Sequence, residues 1–350
     1  MSEPHRMQLP REVLIGPNTV NEISQILLKL SINKNILVLT GENTKNLAGS
    51  GVADSLKKSG FIAEMEVVGK ASREETERVY RKYSKRRIDL VLAVGGGKVI
   101  DIAKVLAYNI SKPFISVPTT ASHDGIASPR ASIKGVDKVY SIQAEAPLAI
   151  IADTSIIMKA PYRLFASGCA DLISNSTAVR DWRLAHEKTG EYFGDYAASL
   201  ANLAAEIIIK NAHLICQYDE SSIRLVLEGL ISSGVAMAIA GSSRPASGAE
   251  HLFSHSIDLL SENDALHGEK CGVGTIITMF LQKGDWRRIR DTLKILGAPT
   301  NAAELGLSKE ILIDAVVKAP GIRPERYTIL NEVTLDRGKV ERILKKINII

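Results

Sequence analysis

Leu90-Val91-Leu92-Ala93-Val94-Gly95-Gly96-Gly97-Lys98-Val99-Ile100-Asp101-Ile102-Ala103-Lys104 reads as strand, glycine turn and helix. A continuous apolar run of this kind suits a strand covered on both faces, as in a parallel sheet. Glycines let a backbone approach a pyrophosphate closely and present N–H groups to it. The helix that opens at Lys98 or Val99 adds its positive end, and Lys98 adds a point charge. The spacing is not GxGxxG and lacks the GK[ST] of a P-loop, so by itself it is as readily a tight βα turn as a phosphate cradle. The next apolar run, Phe114-Ile115-Ser116-Val117, ends at Pro118 and is followed by Thr119-Thr120-Ala121-Ser122. Ligands bind at the carboxyl ends of parallel strands, so these hydroxyls meet the glycines on one sheet edge, which tips the reading toward a cofactor.

The same alternation extends outward. Ile36–Leu39, Phe61–Val68 and Leu148–Ile151 are further strand candidates, and Asn18–Leu30, Arg73–Arg86 and Val99–Tyr108 are helical. Strands alternating with helices predict a doubly wound parallel sheet. Residues 121–147 break the pattern and predict a polar hairpin turning at Lys134-Gly135-Val136-Asp137. Beyond about Ser155 long helices dominate, among them Leu200–Ile215, Ile223–Ala240 and Arg287–Leu296. Two domains are expected of 350 residues: 1–155, α/β and Rossmann-like, and 156–350, helical.

Composition limits the function classes. The chain is 45% hydrophobic and 24% charged, as in ordinary globular proteins, and its 5% aromatic content argues against base-stacking platforms. A net charge of +5 is mild and would attract a phosphorylated substrate. The basic run Arg81–Arg87 reads as the solvated end of a helix, with no nucleic acid partner expected. Three separated cysteines, Cys169, Cys216 and Cys271, argue for a reducing, cytoplasmic setting. Met1–Pro10 is polar without an apolar signal core, and no stretch is expected to be apolar enough to span a membrane.

Four residues stand out as metal or acid–base candidates: Asp171, His251, His255 and His267. A carboxylate and two imidazoles with an open position make a catalytic zinc set. His251 and His255, four apart, share one helix face, so either could be the ligand. Singly each has an ordinary reading, Asp171 as a helix cap, the histidines as core or helix-end residues. Cys169 and Cys271 could be soft ligands, although an isolated cysteine is more often core filler. His123 could line the cleft or sit on a loop surface; His5, His186 and His213 have no partner motif.

Taken together, the phrases Gly95–Lys104, Val117–Gly125, Gly168-Cys169-Ala170-Asp171-Leu172, Gly248-Ala249-Glu250-His251 and His267–Gly274 resemble the polyol-dehydrogenase branch of the iron-type alcohol dehydrogenase superfamily. That branch includes glycerol dehydrogenase, dehydroquinate synthase and glycerol-1-phosphate dehydrogenase. Ser122-His123-Asp124-Gly125 points to the archaeal sn-glycerol-1-phosphate dehydrogenases. The resemblance implies a Rossmann-like domain and an all-α domain (the dehydroquinate synthase-like fold) with the site between them. It implies Zn2+ on Asp171, His251 and His267, and NAD(H) or NADP(H) against Gly95, Gly96, Gly97, Lys98, Val99, Ile100, Asp101, Thr119, Thr120, Ala121, Ser122 and Ser128. Asp124, His255 and Asp171 would touch the substrate, with Asp124 and His255 catalytic. The implied reaction interconverts dihydroxyacetone phosphate and sn-glycerol 1-phosphate, the backbone of archaeal membrane phospholipids, in a homo-oligomer (dimer or octamer). The main alternative is glycerol dehydrogenase acting on the unphosphorylated polyol; a catalytically silent nucleotide-binding module is the alternative outside enzymes. Lys134, Lys138, Arg130 and Arg163 are candidates for a phosphate pocket. Glu42, after the first predicted strand, could accept ribose hydroxyls, and use of both cofactors is expected.

Overall fold

The computed structural model describes residues 7–135 and 139–350, with the backbone alone for 139–141. Val136, Asp137, Lys138 and His5 therefore lie outside the described residues. Six strands form one sheet: β1 (Glu12–Gly16), β2 (Asn35–Gly41), β3 (Ile62–Val68), β4 (Leu90–Gly95), β5 (Phe114–Pro118) and β8 (Pro147–Asp153), in the order β1-β8-β5-β4-β2-β3. Every pairing in it is parallel. β6 (Arg130–Lys134) and β7 (Val139–Gln143) form the separate antiparallel hairpin expected for this excursion. The unexpected strand is β1, an edge strand of five residues whose apolar run, Val13-Leu14-Ile15, is only three residues long.

Along β4, Leu90, Leu92 and Val94 pack on one side with α1 (Ile23–Lys29) and α2 (Ser50–Lys58). Val91 and Ala93 pack on the other side, with α3 (Arg73–Tyr83), α4 (Gly97–Asn109) and the helical half. Both faces are covered, which is why the run lacks alternation; each fully buried Leu or Val contributes about 1.5–3 kcal/mol. Gly95 lies opposite Pro118 and Thr40 opposite Val94, so β2, β4 and β5 end flush. From β2 the chain runs out to β3 and returns to β4 on the far side of β2. That reversal opens the crevice in which such sheets bind ligands. Arg81, Lys82 and Arg86 of the basic run pair with Glu77, Glu66 and Glu64 around the end of α3.

After β8 the larger elements are helical: α5 (Tyr162–Thr189), α6 (Asp195–Lys210), α7 (Glu220–Ala240), α8 (Ala249–Leu260), α9 (His267–Leu281), α10 (Trp286–Ile295), α11 (Lys309–Lys318) and α12 (Arg337–Lys346). α5 escapes sequence patterning because it is buried on nearly all sides and small polar residues, Ser167, Ser174, Asn175, Ser176 and Thr177, fill much of it. α7 corrects one expectation: with a mean hydropathy of 1.7 over 18 residues it is long and apolar enough to span a membrane. That window is 67% buried inside the fold, and α7 packs on α5 and α6.

Backbone approaches fix the helices beneath the sheet edge. A Cβ on Gly168 of α5 would lie 2.0 Å from the Ala121 carbonyl oxygen, and one on Gly268 of α9 would lie 2.0 Å from that of Ser167. Gly168→Ala is therefore expected to lower stability by about 1–3 kcal/mol through overpacking. Gly51→Ala, on α2 with nothing within 4 Å of the new methyl, is expected to raise it by about 0.5–1 kcal/mol. Thermal unfolding of both variants checks the contrast, and an unchanged midpoint for Gly168→Ala contradicts it.

Candidate active site

Asp171 sits in the middle of α5, His251 on α8, and His267 and Cys271 one turn apart at the start of α9. One ligand atom from each of these four lies within 4.8 Å of all the others. Asp171 Oδ1 stands 3.8 Å from His251 Nε2 and 3.7 Å from His267 Nε2, and Cys271 Sγ stands 3.6 Å from His267 Nε2. Asp171 Oδ1 is buried with no hydrogen-bond partner. An orphaned carboxylate oxygen facing two imidazoles and a thiol fits a cation, and the mixed N, O and S set suits zinc. The helix-cap reading of Asp171 fails, because the residue is internal to its helix. Of the two histidines left open by spacing, His251 enters the group; the His255 ring lies 6.4 Å from that of His251 and 6.1 Å from that of His267. Cys271, more readily taken from sequence as core filler, joins the group, whereas Cys169 stays outside it with its thiol pushed up by burial.

A second layer holds these donors. Glu250 Oε1 lies 3.0 Å from His251 Nδ1 and accepts the Gly248 N–H, while its Oε2 accepts the Thr177 hydroxyl at 2.9 Å. A carboxylate behind a ligand histidine fixes ring orientation and tautomer. The Asp124 N–H donates to Asp171 Oδ2 at 3.0 Å, and the Ser233 hydroxyl donates to Asp124 Oδ2 at 2.8 Å. Burial, and then their mutual repulsion, raise the pKa of Asp171; burial also raises that of Asp124. Burial opposes a charged His251, yet Cys271 and Glu250 lift its pKa well above 6.5. Burial and then His251 push His267 well below that value and His255 down to about 3. His255 is thus a neutral ring, and its buried Nδ1 has no partner. Glu250 and Ser233 were missed by sequence reasoning; the only hint was the position of Glu250 directly before His251.

The cofactor candidates gather at the flush strand ends, with exceptions. Gly96 precedes α4, and its carbonyl accepts the Val99 and Ile100 N–H groups. The N–H groups of Gly97 and Lys98 are left as the leading donors of the helix. The Val99 and Ile100 side chains belong to the core, so only their backbone faces the edge. Gly95 is required for packing, since a Cβ there would meet Val99 at 2.6 Å. The Thr119 N–H bonds the Gly95 carbonyl, Thr120 and Ser122 share a hydroxyl contact at 3.3 Å, and Ala121 is buried against α5. Asp101 and Ser128 turn toward the hairpin: Asp101 Oδ2 accepts the Ser132 N–H, and Ser128 neighbours buried Lys104. Lys104 donates to the carbonyls of Gly125 and Arg130, clamping the loop that carries Asp124. His123 does line the cleft: a Cβ on Gly97 would strike its Nε2, and burial lowers its pKa to about 4. Among the phosphate-pocket candidates, Arg163 is bound bidentately by Glu269, Lys134 is exposed at the end of β6, and Arg130 has no side-chain partner among the described residues. Glu42 is exposed just past β2.

This architecture is that of the iron-containing alcohol dehydrogenases. The family profile described as iron-containing alcohol dehydrogenase matches residues 14–161. The fold is shared with glycerol dehydrogenase from Schizosaccharomyces pombe (TM-score 0.82, 22% identity, 99% of this chain and 91% of that one). It is also shared with an iron-containing alcohol dehydrogenase from Thermotoga maritima (TM-score 0.72, 16% identity, 98% of this chain and 99% of that one). The chain is 51% identical over 344 residues to the glycerol-1-phosphate dehydrogenase (NAD(P)+) of Methanosarcina mazei, covering 98% of this chain and 97% of that protein. It is 49% identical over 346 residues to that of Thermococcus kodakarensis, covering 99% of each. The chain belongs to the glycerol-1-phosphate dehydrogenase family.

Asp171→Asn and His267→Ala are expected to leave the protein without retained zinc, and Glu250→Gln to weaken zinc binding about 10–100-fold by freeing the His251 ring. Metal content after dialysis against graded zinc buffers reads this directly; wild-type retention in Asp171→Asn would remove it from the ligand set.

Proposed function

We propose that this protein catalyses the NAD(P)-linked interconversion of sn-glycerol 1-phosphate and dihydroxyacetone phosphate. The observation that carries the reading is the four-donor group at Asp171, His251, His267 and Cys271, set beside a glycine-and-threonine sheet edge in a chain about half identical to glycerol-1-phosphate dehydrogenases. The domains divide the work: residues 1–155 take the cofactor and 156–350 the metal and most of the substrate. Gly95 to Ile100 and Thr119 to Ser122 receive the cofactor, with Asp101 and Ser128 supporting from the hairpin side. Asp171, His251 and His267 hold zinc, which when bound acts as a Lewis acid on the substrate's C2 oxygen.

Asp124 and His255 do the positioning. Asp124 is anchored by its own N–H to Asp171 and by Ser233, so its free carboxylate oxygen orients a substrate hydroxyl. Neutral His255 offers its unpartnered Nδ1 to a second polar group of the substrate. A bound nicotinamide would supply the hydride acceptor for C2 in the oxidative direction, and Asp124, with its free carboxylate oxygen, would take the C2 hydroxyl proton. The three free cysteines fit a reducing cytoplasm, and a homo-oligomer acting on a small phosphorylated triose completes the reading.

His267→Ala in zinc-replete buffer is expected to lose turnover while NADPH still binds, as measured by fluorescence titration. Wild-type turnover in zinc-free His267→Ala would overturn the mechanism. Assays with dihydroxyacetone phosphate and with dihydroxyacetone, each with NADH and NADPH, decide between the phosphate enzyme and glycerol dehydrogenase.

A further inference from the structure

Cys271 is fully buried, yet its sulfur faces polar atoms. It stands one turn after His267 at the start of α9, and its Sγ is 3.6 Å from His267 Nε2. The same sulfur lies within 4.8 Å of a carboxylate oxygen of Asp171 and a ring nitrogen of His251. Cys169 is the contrast: it is equally buried and two residues from Asp171, but its sulfur is outside the group. Backbone packing fixes Cys271 where it is. A Cβ on Gly268 would lie 2.0 Å from the Ser167 carbonyl oxygen, and one on Gly272 would lie 3.1 Å from the Ala170 Cβ. These glycines, about one helical turn apart, flank Cys271 and press α9 onto α5 right beside Asp171.

The separations approach ligand spacing. Around a tetrahedral zinc ion, with bonds of about 2.3 Å to sulfur and about 2.0–2.1 Å to nitrogen or oxygen, sulfur and nitrogen stand roughly 3.5 Å apart and nitrogen and oxygen roughly 3.3 Å. Cys271 and His267 are 3.6 Å apart, whereas Asp171 Oδ1 is 3.7 Å from His267 and 3.8 Å from His251. The sulfur is thus nearer its ligand spacing to His267 than the carboxylate is. A second observation points to an ion without reference to the cysteine: Asp171, 3% exposed, leaves Oδ1 unpartnered against the histidines. A hydrogen bond from the thiol to His267 would explain the 3.6 Å contact but leave that oxygen orphaned. A shared cation explains both.

We infer that the Cys271 sulfur is a fourth protein ligand to the metal ion, so that the resting site is Asp171, His251, His267 and Cys271 with no position left open. Binding releases the thiol proton to solvent as the sulfur–metal bond forms. The inference rests on the group being a metal centre, not on which polyol the protein uses. Zinc can still admit a substrate oxygen by expanding to five ligands. Soft sulfur also sets the choice of ion, favouring zinc and cadmium over manganese and magnesium.

The test uses the zinc-loaded full chain without substrate, beside Cys271→Ser and Cys169→Ala. X-ray absorption at the zinc edge is expected to show one sulfur at about 2.3 Å in the wild type and in Cys169→Ala, and none in Cys271→Ser. With cobalt(II) in place of zinc, the near-ultraviolet sulfur-to-cobalt charge-transfer band follows the same pattern. Loss of the thiol is also expected to weaken cadmium retention more than manganese retention. A shell of nitrogen and oxygen alone around wild-type zinc overturns the inference, and so does sulfur that persists in Cys271→Ser. If Cys271→Ser fails to fold, the wild-type and Cys169→Ala spectra still decide. A wild type that retains no zinc overturns the metal centre itself, and zinc bound without sulfur overturns only the fourth ligand.

Discussion

Asp171 is the residue on which the site turns. Its carboxylate is buried in the middle of a 28-residue helix. Oδ2 takes the N–H of Asp124, from the loop after β5, and Oδ1 takes nothing. One oxygen thus ties the sheet half to the helical half, and the other faces two imidazoles and a thiol. An unpaired buried carboxylate oxygen is expensive, and the surrounding structure supplies no donor other than these side chains. Backbone contact sets these elements directly on one another: Gly168 lies against Ala121 and Gly268 against Ser167, with no space for a side chain between them.

The same constraint couples the cofactor edge to the metal group. α4 begins in the glycine turn and presents Asp101, one turn in, to the hairpin and Lys104, two turns in, to the Asp124 loop. The glycine turn is thus joined to the Asp124 loop through α4, and that loop to Asp171 through the Asp124 N–H. His123 fills the space over Gly97 on one side while its ring centroid stands 6.5 Å from that of His267 on the other. Cofactor edge and donor group are neighbours through a single loop of the chain.

Much of this was legible in sequence. β2, β4, β5 and β8 were readable because both-face burial leaves uninterrupted apolar runs, β3 at the opposite edge was readable from its alternation, and β4 with its glycines located the crevice. β1 was not readable, being five residues at an exposed edge. Nor was α5, whose interior of Ser174, Asn175, Ser176 and Thr177 resembles a polar loop; these residues are buried because their hydroxyls bond back into the helix or to Glu250. Asp171, His251 and His267 were nameable, but spacing could not choose between His251 and His255, because one helix face carries both. Geometry distinguishes them: Glu250 and Asp171 lie one on each side of the His251 ring, and His255 is outside the four-donor group. Cys271 was undervalued for a similar reason: its significance lies in being one turn from His267, which matters only once α9 is known to start there.

The charge pattern follows from the same burial. Asp171, Asp181 and Glu250 are buried, with Asp124 half-buried against Asp171, and burial pushes Asp181 up to about 7, with Glu250 adding to the shift. That acidic concentration favours a divalent cation at the donor group.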